Sequence, residues 1–218
     1  MNLGQLTRAG FRPPTAAAVA AARAEFASTH AVLLENLLEP SLLQFALRKL
    51  EGARYTPRVG EAAWRGTKPS VDERLDEPQP WGSLLFAFND PALFALVEQV
   101  TACGRIGSFS GVVYRIVPGR GHSQSWHNDL DRDRLVALSV NLSPRGYRGG
   151  RLQLGTAESA DVLHEVANTG LGNAVLFELS EALVHRVTAV EGDQPKVSFA
   201  GWFVRQPSYR DWLAASQR

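Results

Sequence analysis

The sequence has 218 residues, 44% of them hydrophobic, with 23 basic and 22 acidic side chains for a formal net charge of +1. That is enough apolar matter for a proper core, so disorder over most of the length is excluded. The near-balance of charge gives no reason to expect a nucleic-acid or anionic-membrane partner. A single cysteine, Cys103, rules out an internal disulfide and a Cys-based zinc site, and it fits a reducing, cytoplasmic setting.

From the start of the chain, "PPTAAAVAAARAEFAS" (residues 13–28) has the alanine content of a signal peptide. Arg23 and Glu25 interrupt it and no cleavage pattern follows, so it is read as an amphipathic helix. Thr15 is its expected N-cap, with Val19, Ala22 and Phe26 on one face. "EPSLLQFALRKLEG" places Leu43, Ala46, Leu47 and Leu50 at helical spacing, with Gly52 as the stop. "NDPALFALVEQVTACG" does the same with Leu93, Leu96, Val97 and Val100. Asn89 or Asp90 caps it, Pro91 suits its first turn and Gly104 ends it. Between these two helices, "RGTKPSVDERLDEPQPWG" is rich in proline and charge and reads as a long loop. Its part from 68 to 82 is a candidate lid. No run without charges reaches membrane-spanning length.

The texture changes at about residue 107. "SFSGVVYRIV", "RLVALSVNLS", "GRLQL", "GNAVLFEL", "ALVHRVTAV" and "KVSFAGWFVR" are short β-branched and aromatic runs, separated by turn signals such as "SPRGYRGG" and "EGDQP". Six or more strands with no long helix between them predict an antiparallel sandwich or barrel. The expected fold class is therefore α+β, mainly β. Residues 1–218 read as one domain, with 1–104 as helical support and long loop and 105–206 as the β core.

"SWHND" carries the chemistry. His127 and Asp129 are two apart, a spacing that lets both side chains converge on one ion at a strand end. Taken alone, such a pair is usually a solvated loop histidine beside an aspartate. A second histidine, His185, lies on a later β run, 58 positions on. Two imidazoles and a carboxylate suit mononuclear non-haem Fe(II), with an open face for substrate and oxygen. His164, in "VLHEV", is a rival for the distal position, and His122, in a glycine-rich turn, is solvated or faces substrate.

The ordered set "YRIVPG", "SWHND", "VALSVNLSPRGYRGGRLQL", "GLGNAVLFELSEALVHRV" and "KVSFAGWF" resembles the 2-oxoglutarate/Fe(II)-dependent dioxygenase superfamily, in its prolyl 4-hydroxylase-like branch. The resemblance runs from about residue 105 to 205. A weaker echo in "HAVLLENLLEPSLLQFALRKL" is similar to the family's strand-then-helix lead-in. It implies a double-stranded β-helix, the cupin-like jelly roll, with N-terminal helices packed on it. It also implies that His127, Asp129 and His185 are the catalytic metal ligands and that the cofactors are Fe(II), 2-oxoglutarate and O2. By the same resemblance Lys196 binds the far carboxylate of 2-oxoglutarate, Ser198 adds a hydroxyl and Tyr114 assists. Family members that chlorinate lack the carboxylate, so Asp129 points to hydroxylation.

Two departures stand out. Lys196 lies 11 positions after His185, one more than the common spacing, which leaves Arg186 and Arg205 as alternative anchors. Tyr114 is farther from His127 than the family pattern has it. Candidate substrate contacts are Trp126, His122, Arg115, Arg151 and Arg205, and Trp202 is expected in the core. The implied activity is hydroxylation of an unactivated carbon, coupled to oxidative decarboxylation of 2-oxoglutarate to succinate. The expected substrate is an amino-acid side chain, in a peptide, a protein or the free amino acid, with a small natural product as the alternative. A non-catalytic cupin-like binding protein is the alternative of another class. The oligomeric state stays open.

Overall fold

The computed structural model describes residues 2–60, 64–76, 82–131 and 133–205. In chain order the elements are β1 (Gln5–Thr7), β2 (Gly10–Arg12), α1 (Ala16–Thr29), β3 (Ala31–Leu34), α2 (Pro40–Leu50), β4 (Tyr55–Val59), a 3-10 turn (Trp64–Gly66), β5 (Val71–Leu75), α3 (Gly82–Phe88), α4 (Pro91–Thr101), β6 (Ser108–Ile116), β7 (Gln124–His127), β8 (Arg134–Asn141), β9 (Arg148–Gly149), β10 (Leu152–Thr156), β11 (Val162–Val166), β12 (Ala174–Glu178), β13 (Leu183–Val187), β14 (Val190–Glu191) and β15 (Lys196–Val204). A seven-stranded sheet has the order β3-β12-β8-β15-β6-β5-β4, and a four-stranded sheet the order β11-β10-β13-β7. Their antiparallel pairing and non-sequential order make a jelly roll, as expected from the sequence.

Period-2 alternation assigns the two faces of the large sheet. On β15, Val197, Phe199 and Phe203 join the main core. Lys196, Ser198, Ala200 and Trp202 face the other way, into a cavity. The same split puts Val136, Leu138 and Val140 of β8 in the core, where Phe88, Leu93, Leu96 and Val97 of α3 and α4 cover them. Phe109 and Phe199 approach with ring centroids 5.8 Å apart, and both contact Phe88. Gly111 and Gly201 sit opposite each other beneath these rings. A Cβ on Gly201 would lie 2.0 Å from the Ser110 carbonyl oxygen, so only glycine lets β6 and β15 approach this closely.

The predicted helices are present. Thr15 caps α1 by accepting from the Ala18 N–H, and Asp90 caps α4 by accepting from Ala92. The left-handed residue that ends α4 is Ala102 rather than Gly104. The strand-then-helix echo corresponds to β3 followed by α2.

The N-terminal third is not purely helical, because β3, β4 and β5 extend the large sheet. The expected long loop is corrected over Val71–Leu75, which is β5, and from Gly82, where α3 begins. Asp72 and Glu73 are buried there by pairing, Asp72 with Arg58 at 2.7 Å and Glu73 with Arg115 at 2.5 Å. Of the candidate lid, Glu77–Trp81 lie outside the described residues. No helix among the described residues is long and apolar enough to cross a membrane.

Candidate active site

His127 ends β7 and pairs directly opposite His185 of β13, so both side chains project from the same face of the small sheet. Asp129 follows in the loop. Asn128 fixes that loop: its amide donates to the carbonyls of Ser180 (2.9 Å) and Leu183 (2.8 Å), and its oxygen accepts from the Leu130 N–H (2.7 Å). The turn swings the Asp129 carboxylate back over the two imidazoles. Oδ1 lies 3.7 Å from His127 Nε2 and Oδ2 lies 3.3 Å from His185 Nε2. The three ligand atoms fall within 4.8 Å of one another. Two neighbouring ligands of an octahedral ion with bonds near 2.1 Å stand about 3 Å apart, so the set fits a single ion.

The protonation states also fit. His127 Nδ1 lies 2.6 Å from the Ser125 carbonyl, which can only accept. Nδ1 therefore carries the proton and Nε2 offers its lone pair toward Asp129. Burial and the neighbouring His185 push the His127 pKa down, which keeps the ring neutral. For Asp129, burial alone would raise the pKa. The hydrogen bond and charge of His185, the charge of His127 and the indole N–H of Trp202 outweigh it and hold the carboxyl well below the usual range. Trp202 Nε1 donates to Oδ2 at 3.0 Å, and Arg134 stacks on the Trp202 ring at 3.7 Å.

The ligand set opens on a cavity of about 510 Å³ between the sheets. Tyr114, Lys196 and Ser198 line its opposite wall. Ser198 and Tyr114 are direct cross-strand partners, and Lys196 is two residues from Ser198 on the same face. Lys196 is buried, and its ammonium donates to the Gly150 carbonyl at 2.5 Å. Gly150 has φ +60, and a Cβ there would lie 3.0 Å from both Lys196 and Tyr147. The Gly-Gly turn thus seats the lysine. Burial lowers the Lys196 pKa to about 8.

The structure places the rival anchors elsewhere. Arg186 donates to Gln153 at 2.7 Å and stacks on Trp126, and Arg205 lies just beyond β15 with its backbone N–H on the Asp133 carbonyl. None of the five candidate substrate residues is on the cavity wall. Trp126 precedes His127 on β7 and so faces the opposite side, against Gly155 and Arg186. His122 Nδ1 accepts from the Val117 N–H and closes a turn. Arg115 is held by Glu73 and stacks on Tyr55, and Arg151 pairs with Glu165. His164 lies on β11, separated from β7 by β10 and β13. The wall instead carries Arg58, Gln124, Arg134, Asn168 and Trp202. Trp202 therefore lines the cavity, contrary to the core position expected, and continuing the Lys196–Ser198 alternation by four residues would have found it.

Residues 111–204 match the family model described as the 2OG-Fe(II) oxygenase superfamily. That span contains the histidines, the aspartate, Lys196, Ser198 and Tyr114. Among curated proteins no sequence matches the chain. Its fold is similar to a Pseudomonas putida prolyl-4-hydroxylase, at 21% identity and TM-score 0.57, over 87% of this chain and 100% of that one. It is also similar to a Trichoplax adhaerens prolyl hydroxylase solved with a hypoxia-inducible-factor peptide fragment (16%, TM-score 0.56, 86% and 89%). A third is the epimerase SnoN with Fe3+, α-ketoglutarate and nogalamycin RO (12%, TM-score 0.57, 91% and 90%). The match to the superfamily model thus covers the β core that carries the candidate site, and the chain shares the fold of these three structures.

Proposed function

We propose that His127, Asp129 and His185 hold Fe(II), that Lys196 pairs with the far carboxylate of 2-oxoglutarate, and that the enzyme hydroxylates an unactivated carbon of an amino-acid side chain. The observation that carries this reading is the sharing of one cavity by the three-ligand set and a buried lysine with no carboxylate partner among the described residues. A buried ammonium facing a cavity calls for an anion, and a dicarboxylate that also chelates the metal supplies one. Ser198 adds a neutral donor beside it, and Tyr114 flanks them both. When bound, the metal and 2-oxoglutarate supply oxygen activation; the protein orients the reactants and excludes water. Apolar wall residues such as Val175, Phe177 and Leu152 serve that exclusion. A small natural product is the second reading, favoured by the enclosure of the cavity between two sheets. We also read residues 1–218 as one domain, since α1–α4 pack on the core through a continuous cluster. The lone Cys103 supports a cytoplasmic setting.

The direct test is anaerobic titration of Fe(II) and 2-oxoglutarate into the protein. A weak visible charge-transfer band from the chelate is expected. Its absence with metal-replete protein would remove the proposal. The same titration has a pH signature. Lys196 binds the dianion only when protonated, so affinity holds below about 8 and weakens above it. The apparent Kd should climb toward about tenfold per pH unit on the alkaline side. A flat profile would point to an arginine anchor.

Excess chloride should leave the product unchanged. Asp129 occupies the position a halide would need, and the Trp202 indole N–H keeps its carboxylate in place. Mass spectrometry should find oxygen insertion alone, and a chlorinated product from the wild-type enzyme would contradict the assignment.

A further inference from the structure

We infer that Arg134 is the docking residue for a carboxylate on the primary substrate, and that this substrate carries no free ammonium beside that carboxylate. The inference rests on the proposed iron and 2-oxoglutarate assignments and deepens them.

The argument begins with charge. Apart from the two ligand histidines, the charged side chains among the described residues of the cavity wall are Arg58, Asp129, Arg134 and Lys196. Asp72, which is fully buried behind the wall, neutralises Arg58 by two parallel bonds of 2.8 and 2.7 Å. Fe(II), Asp129, Lys196 and a doubly negative 2-oxoglutarate together sum to zero. The Arg134 cation, part-buried on the cavity wall, is then left over, and a partly desolvated charge without a counter-charge is costly. A substrate with one negative charge balances it.

Geometry gives the same answer. The Arg134 guanidinium is clamped flat on the Trp202 ring at 3.7 Å, and Nη1 donates to the Asp129 carbonyl at 3.0 Å. One donor is thus spent on placing the fork. Nε and Nη2 donate to no partner recorded among the described residues. A stacked, pre-set guanidinium loses little freedom when it takes a carboxylate through two parallel bonds. Its nearest carboxylate oxygen, Asp129 Oδ1, is 3.9 Å away, too far for a hydrogen bond. An acid docked on this fork begins beside the ligand set, so carbons a few bonds from the carboxylate face the proposed metal position.

The wall also discriminates. An α-amino acid would bring an ammonium next to its carboxylate. The one carboxylate on the described wall, Asp129, is committed to the metal. An ammonium would therefore be stranded, which disfavours free amino acids. The chemistry that fits is a carboxylate whose neighbouring nitrogen is acylated or absent: an N-acyl amino acid, a natural-product acid, or the C-terminal residue of a peptide.

The test uses matched triplets with aliphatic, cyclic and aromatic side chains: an N-acetyl amino acid, its primary amide and the free amino acid. Each is titrated anaerobically into the Fe(II)·2-oxoglutarate protein. Binding is read from tryptophan fluorescence and from perturbation of the charge-transfer band. In at least one triplet the acid should bind about tenfold or more tightly than both the amide and the amino acid. Arg134→Gln should erase that preference while the 2-oxoglutarate band persists. Arg134→Lys should restore part of it, as a point charge without the fork. Equal binding of acid and amide in every triplet, or a preference that survives Arg134→Gln, overturns the inference. Absence of the 2-oxoglutarate band from the wild-type protein overturns the underlying cofactor assignment instead, and with it this inference. Acetylated peptides ending in the same residue separate the two sources, since tightening with length indicates a chain terminus and indifference to length a small acid.

Discussion

Alanine at His127, Asp129 or His185 should each abolish succinate formation, while alanine at His164 leaves it intact. Each of the first three removes one of the donor atoms that lie within 4.8 Å of one another, and the two that remain cannot define a face. Losing only an outer partner of a metal ligand costs about 10–100-fold in affinity, so loss of a ligand itself should exceed that. Trp202→Phe provides the graded comparison. It keeps an aromatic platform for Arg134 but removes the N–H that holds Asp129 Oδ2, and it should weaken iron by about that 10–100-fold. His164 pairs with Leu154 on the far side of β10, with β13 between β10 and β7. Iron binding measured by equilibrium dialysis, alongside succinate release, checks the set. Should His164→Ala lose iron and His185→Ala keep it, the distal ligand has been misplaced.

The legibility of this site follows from its strand periodicity. His127 and Asp129 were readable because a pair two apart at a strand end needs only local geometry to converge. His185 was readable because its run is β-like, and the register then places it directly opposite His127. Lys196 and Ser198 share a face by the same period of two, which also reaches Trp202. Arg58 and Arg134 were not readable. Arg58 reaches the cavity from β4, an edge strand that looks like a polar connection because "YTPRV" and "VDERL" carry four charges between them. Pairing of Arg58 with Asp72 and of Arg115 with Glu73 hides those charges, and pairing across strands is a tertiary fact. Arg134 opens β8 with no local mark of its stacking on a tryptophan 68 residues later. The candidate substrate residues went astray for a related reason. Trp126, Arg115 and Arg151 lie on or beside strands as expected, but a strand has two faces, and each of these points away from the cavity toward a partner of its own.

Lys196→Ala should raise the apparent KM for 2-oxoglutarate by one to two orders of magnitude, corresponding to ~1.5–3 kcal/mol for loss of a charge-assisted pair. The one-position departure from the family's spacing left Arg186 and Arg205 as rivals. Arg186 follows His185 on β13, so it faces the other side of the small sheet, where it donates to Gln153. Arg205 lies beyond the last residue of β15, nine positions from Lys196. Lys196 alone of the three lines the cavity. Its ammonium is already oriented by the Gly150 carbonyl, which leaves its remaining protons for an incoming anion. The Ser198 hydroxyl stands on the same face two residues on, beside Tyr114. Removing the ammonium leaves the far carboxylate buried with neutral donors only, which weakens cosubstrate binding without touching a metal ligand. Iron affinity should therefore stay near the wild-type value. Arg186→Ala and Arg205→Ala should keep the wild-type KM, because neither guanidinium reaches the cavity. Titrating 2-oxoglutarate against the three variants decides the matter: a large rise for either arginine, with Lys196→Ala behaving as wild type, would move the anchor off β15 altogether.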